Sequence, residues 1–214
     1  MIKVISFDFD GTLMTHAFAD AFWLKGVPGL YAKRHQISFE DAPKFLFTEY
    51  EKIGDNRIEW YDPGYWFDRF DLQTDWKKML GQYRKYAEVY PEVPQVLGRL
   101  SKKYELIISS NAKKEFIEVQ LKKTKLSGYF HRVFSSTSDF HTVKKVKDFY
   151  EMITKTLDVN PKEMIHVGDH KDFDYQEPKR HGITTYYLDR NRTTSGAHVV
   201  HDLVEFEQTI ARLK

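Results

Sequence analysis

Two short stretches hold residues whose types and spacing suit group-transfer chemistry: Asp8-Phe9-Asp10-Gly11-Thr12 and Gly168-Asp169-His170-Lys171-Asp172-Phe173-Asp174. Each follows an apolar, β-rich run, so each sets acids where a buried strand should end. Residues two apart in an extended chain point to the same side, which lets Asp8 and Asp10 reach one site. A carboxylate can attack phosphorus and carry it as an aspartyl-phosphate, and a second carboxyl beside it can hold or give the proton. Gly11 lets the chain turn and brings backbone N–H groups toward phosphoryl oxygens, with Thr12 next to it. Asp169, Asp172 and Asp174 offer the hard oxygen donors that Mg²⁺ takes. Taken alone this second stretch is equally an acidic turn. Beside Asp8 and Asp10 it reads as a metal site, because such a crowd of carboxylates otherwise repels itself.

Two further stretches fit a phosphate. Ser109-Ser110-Asn111 closes another apolar run. It reads as a helix N-cap, and the amides at a helix start also bind phosphate. Lys144-Lys145-Val146-Lys147 opens an amphipathic segment. Its plain reading is a solvated basic face, yet a site with several carboxylates and a phosphate needs a cation, and Lys144, Lys145 and Lys147 all qualify. Among the histidines, His166 sits inside a strand and reads as core. His170 adjoins Asp169 and points away or toward substrate, and His16 borders a hinge.

The elements that must position these residues follow from hydrophobic periodicity. Strands are expected over 3–9, 104–109, 132–134, 164–167 and 184–188, with a short sixth at Val199-Val200. Val93, Val96, Leu97 and Leu100 share one helical face, as do Phe116, Ile117, Gln120 and Leu121, with Gly128 as a stop signal. Val146, Phe149, Tyr150, Ile153 and Leu157 form a third stripe. Asn160-Pro161 caps a short turn, and a last helix covers 203–213. Strands alternating with helices predict an α/β fold: a Rossmann-like parallel sheet with helices on both faces. The stretch from Met14 to Glu88 does not alternate. It reads as an inserted α-helical cap domain, broken at Pro28-Gly29, Gly54-Asp55-Asn56 and Asp62-Pro63-Gly64. The expected domains are therefore a core of 1–13 plus 88–214 and a cap of 14–87, hinged near 12–16 and 86–91. Aromatics crowd this cap, which holds all four tryptophans, Trp23, Trp60, Trp66 and Trp76. A small helical core built from large rings is the first expectation, and rings lining a substrate pocket the second.

Composition narrows the classes further. The chain has 214 residues, 41% of them hydrophobic and 30% charged, which suits a globular protein with a real core. A net charge of +2 gives no support to a nucleic-acid or anionic-membrane partner. The absence of cysteine excludes disulfides, thiolate metal sites and thiol nucleophiles. No apolar run approaches the ~20 residues that span a bilayer. Asp8 and Asp10 interrupt the N-terminal apolar run too early for a signal peptide, so a cytoplasmic location is expected. Oligomeric state stays open.

With these residues assembled, the sequence resembles the haloacid dehalogenase-like superfamily of hydrolases. Asp8-x-Asp10-Gly11-Thr12 matches its first motif, Ser110 before Asn111 its second, Lys144 its third, and Gly168-Asp169 with Asp174 its fourth. The position of the insert resembles the helical-cap subfamily. The resemblance implies that Asp8 is the nucleophile and that Asp10 protonates the leaving group, then activates water. Ser110 and Lys144 hold phosphoryl oxygens, with Gly11, Thr12 and Asn111 also at the substrate. Mg²⁺ sits on Asp8, the backbone carbonyl of Asp10 and Asp169, supported by Asp174. An acid at position 10 favours a phosphatase or phosphomutase, and the leading expectation is a phosphatase on a small phosphorylated metabolite. A phosphomutase of the same superfamily, or a non-catalytic binding or regulatory protein on this fold, are the alternatives.

Overall fold

The computed structural model describes residues 1–143 and 148–213. Lys144, Lys145, Val146 and Lys147 lie outside the described residues. Six strands form one parallel sheet: β1 (Val4–Phe7), β2 (Glu105–Ser110), β3 (Arg132–Ser135), β4 (Met164–Gly168), β5 (Thr184–Leu188) and β6 (Val199–Val200). Their order across the sheet is β3-β2-β1-β4-β5-β6. β1 is central and pairs with both β2 (Phe7 opposite Ile108) and β4 (Phe7 opposite Val167). The connections therefore leave β1 in opposite directions, and this reversal opens a crevice at the carboxyl ends of β1 and β4.

Alternation along β1 explains the layers. Ile5 and Phe7 join a cluster with Val93, Val96, Leu97, Ile117, Leu121, Leu203 and Phe206, which comes from the helices Val93–Leu100, Lys114–Thr124 and Leu203–Ile210. Val4 points to the other face, toward Ile107, Phe149, Tyr150, Ile153 and Met164, with the helix Phe149–Leu157 covering that side. A strand buried on both faces must be apolar throughout, and β1 is buried at every position. The sheet is thus α/β and Rossmann-like.

Between β1 and Val93 the chain is helical. Ala17–Asp20 runs through a π-helical segment, Ala21–Gly26, into Val27–His35, followed by Ala42–Ile53, Pro63–Arg69 and Trp76–Tyr83. These helices bury their own cluster, including Phe18, Phe22, Leu46, Tyr50, Trp66, Phe67 and Met79, joined by Phe116 from the sheet side. The chain segments that enter and leave this insert lie side by side: Met14 bridges Val89 antiparallel, and Thr15 N–H donates to the Glu88 carbonyl at 2.9 Å.

Several local expectations need correction. Pro28-Gly29 does not break the helix. Proline lacks an N–H and its ring crowds the carbonyl four residues back, and the π-helical segment just before it supplies the altered bonding that accommodates both. Gly128 is not the helix stop, because Lys125 already closes Lys114–Thr124 in a left-handed conformation (φ 60°). Neither Ser110 nor Asn111 caps that helix; Lys113 occupies the N-cap position. The last helix ends at Ile210 rather than Leu213. Asp62 and Asn160 do begin helical turns, each followed by proline, and Asn160 with Glu163 forms a reciprocal capping box. No helix among the described residues is long and apolar enough to cross a membrane.

Candidate active site

The carboxyl ends of β1, β2 and β4 deliver Asp8, Ser110 and Asp169 into one cleft of about 380 Å³. Asp10, Asn111, Asp174, His16 and His170 also line it, with Trp23, Trp60 and Tyr61 from the insert and Phe116 from the helix Lys114–Thr124. Carboxylate oxygens of Asp8, Asp169 and Asp174 all lie within 4.8 Å of one another. The two stretches singled out in the sequence therefore meet, although about 160 residues separate them, because β1 and β4 are neighbours. Asp172 is exposed instead, on the π-helical segment Lys171–Gln176 that follows β4.

Two glycines make room for the acids. Gly11 has φ +85°, and a Cβ added there would lie 2.7 Å from Asp169 Cγ and closer still to its carboxylate oxygen. A Cβ at Gly168 would lie 2.5 Å from Asp174 Cγ. The Gly11 N–H donates to the Met14 carbonyl at 2.7 Å, so it shapes the turn and does not point into the cleft. Thr12 is fully buried behind the cleft, its hydroxyl 3.5 Å from Asp169 Oδ1. Gly11 and Thr12 thus support the cleft from behind, whereas Asn111 is in its wall. Asn111 Nδ2 donates to the Tyr61 hydroxyl at 3.3 Å, and its Oδ1 accepts from Ser136 at 2.8 Å. The Ser110 hydroxyl accepts the Ala112 N–H at 3.1 Å, which leaves its own proton for a ligand.

The acids differ in environment. Burial pushes the Asp10 carboxyl up to about 6, against the opposing effects of a hydrogen bond from Gln120 Nε2 (3.1 Å to Oδ1) and of nearby His16. His16 Nε2 stands 3.7 Å from Asp169 Oδ2, and pairing with that carboxylate raises the imidazole to about 9. Asp174 is 1% exposed, receives the His170 N–H at 3.0 Å, and lies 3.3 Å from His166 Nε2. His166 is core, as expected. It also belongs to a buried polar chain: its Nδ1 meets Ser6 Oγ at 2.8 Å, and Ser6 meets Ser109 at 2.7 Å.

Three contributors escaped sequence reasoning. Gln120 looked like part of an apolar helix face; a fully buried amide among Phe116, Ile117 and Leu121 was the available signal. Arg190 follows β5 and donates to the carbonyls of Gly11 (3.2 Å) and Thr12 (2.7 Å), while pairing with Glu92 at 2.8 Å. A charge just past the carboxyl end of a strand was its signal. Lys113 lines the cleft and pairs with Asp62 of the insert at 3.1 Å. Lys144 lies outside the described residues, so its proximity to phosphate remains an expectation.

The sequence and the fold both have relatives among known proteins. The family model described as haloacid dehalogenase-like hydrolase matches residues 2–182. The GMP/IMP nucleotidase YrfG of Escherichia coli (strain K12) is 21% identical over 169 residues, covering 78% of this chain and 74% of its own. Among solved structures, a HAD phosphatase from Thermococcus onnurineus superposes with a TM-score of 0.87 at 26% identity, covering 98% of both chains. A 2-haloacid dehalogenase from Pseudomonas syringae pv. Tomato DC3000 shares the fold, with a TM-score of 0.66 at 18% identity and 100% coverage of both chains.

Proposed function

The chain belongs to the haloacid dehalogenase-like hydrolase family, and from that premise we propose that it is a Mg²⁺-dependent phosphatase acting on a small phosphorylated metabolite. One observation carries the choice: Asp10 shares the cleft with Asp8 and is pushed up to about 6. A departing halide is a weak base and leaves without a proton, so such a carboxyl would be idle in dehalogenation. A departing alkoxide needs that proton, and an acid with a pKa near the working pH supplies it best.

In the proposed reaction an Asp8 carboxylate oxygen attacks phosphorus and the P–O ester bond breaks. The Asp10 proton passes to the leaving alkoxide. The Asp10 carboxylate then takes a proton from water, which attacks the phosphorus of the aspartyl-phosphate. Inorganic phosphate departs and Asp8 regains its carboxylate. Ser110 donates to a phosphoryl oxygen, and Lys144 is proposed to do the same. The donor set of Asp8, Asp169 and Asp174 is all carboxylate oxygen, which fits Mg²⁺. Those residues, with the Asp10 backbone carbonyl, would hold the ion, which when bound offsets the charge on the phosphoryl group. On this reading residues 14–87 form a cap over a core of 1–13 and 88–214, in a cytoplasmic enzyme.

The test is hydrolysis of p-nitrophenyl phosphate, with L-2-chloropropionate as the competing substrate class. Phosphate release is expected with Mg²⁺, lost in EDTA, restored by Mg²⁺ and abolished in Asp8→Asn. Full turnover by Asp8→Asn, or chloride release in place of phosphate release, would overturn the proposal.

A further inference from the structure

A second cavity of about 370 Å³ adjoins the cleft that holds the acids, and both share Ala19, Trp23 and Trp60 as walls. Leu24, Phe47, Tyr50 and Trp66 complete the apolar surface of this annex, with Asp20 and Glu51 at its edge. Ala19 is the smallest residue on the shared wall.

The annex is built rather than left over. Trp23 lies parallel to Phe116 at 6.0 Å between ring centres, with 10° between the planes. Trp60 stands edge-on to Tyr50 at 6.3 Å, and its carbonyl accepts the Trp66 indole N–H at 3.3 Å. Both tryptophans keep part of their surface uncovered, while Trp66 is 1% exposed and belongs to the core. The Tyr50 hydroxyl is buried, with no hydrogen-bond partner among the described residues. No cation lines the annex among the described residues, and two carboxylates do.

We infer that the substrate is a phosphomonoester whose alcohol carries a flat aromatic ring, neutral or cationic, seated against Trp23 and Trp60. This rests on the phosphatase reading of the adjoining acids. Fixed indole faces hold planar rings with little ordering cost. Asp20 and Glu51 disfavour a second phosphate or a carboxylate on the leaving group. Open-chain and sugar phosphates lack the ring and leave the annex unfilled.

Matched substrates isolate the ring: a nucleoside 5′-monophosphate against ribose 5-phosphate, and benzyl phosphate against butyl phosphate. The ring-bearing member of each pair is expected to have the higher kcat/KM, by about 5- to 150-fold, the range for one aromatic stacking contact. Trp60→Ala, and Ala19→Leu at the shared wall, should bring that ratio toward unity, mainly through KM. Tryptophan emission provides a readout independent of turnover. A nucleoside 5′-monophosphate should quench it in Asp8→Asn, and inorganic phosphate should not. Equal kcat/KM within both pairs, with both members hydrolysed, would overturn the annex and leave the phosphatase reading intact. Quenching by the ring-bearing compound, with no member of either pair hydrolysed, would instead uphold the annex and sink the phosphatase reading.

Discussion

Gly11→Ala separates the cost of a backbone conformation from the cost of displacing the Asp169 carboxylate and the His16 ring, whose Nε2 would lie 2.8 Å from the new Cβ. At φ +85° a side chain is strained by roughly 1–2 kcal/mol. For a chain of this size that strain lowers the melting temperature by about 2–8 °C. The new Cβ would also lie 2.7 Å from Asp169 Cγ, where ordinary contact begins at 3.4 Å. Asp169 is partly exposed and its carboxylate can swing away, so folding survives with a displacement of about 1 Å. A misplacement of that size near reacting groups costs on the order of 100-fold in rate. Gly182→Ala is the control: its φ is +82°, but the nearest atom to an added Cβ is Pro161 Cβ at 3.9 Å. Both variants should melt a few degrees early, while only Gly11→Ala loses about 100-fold in kcat/KM for p-nitrophenyl phosphate at 25 °C. Comparable activity in the two variants would refute the claim that Gly11 is there to admit the Asp169 carboxylate.

Asp10 must carry its proton when the ester oxygen departs, so kcat/KM should fall as pH rises through about 6. The Gln120 hydrogen bond favours the charged carboxylate, so Gln120→Ala should move that midpoint upward and Asp10→Asn should remove it; a midpoint unchanged in Gln120→Ala counts against Asp10 as the titrating acid. His166→Ala takes a partner from Ser6 and Asp174 inside the sheet, and should cost about 1–3 kcal/mol in urea denaturation, whereas a stability equal to the parent's would mean that the chain of polar groups carries none.

The sequence alone determined what depends on neighbours along the chain. β5 and β6 have the ends expected of their short β-rich runs. Asn160-Pro161 caps its turn as read, and the acids of both motifs fall at strand ends, because a run of Val, Ile and Phe cannot continue through Asp-Gly. The family resemblance rested on the same local strings. Tertiary structure decided whatever depends on which strands are adjacent and which side chains face inward. Placing β4 beside β1 brought Asp169 and Asp174 to Asp8 and sent Asp172 outward. Packing the helix Lys114–Thr124 on the sheet turned Gln120 toward Asp10, and the end of β5 supplied Arg190 to the Gly11 carbonyl. The π-helical segment that accommodates Pro28 had no signature in residue spacing. The tryptophans make the same point: similar rings at similar density became almost wholly buried at Trp66 and partly uncovered at Trp23 and Trp60. An indole buries equally well against protein or ligand, and only the surrounding packing sets which surface it meets.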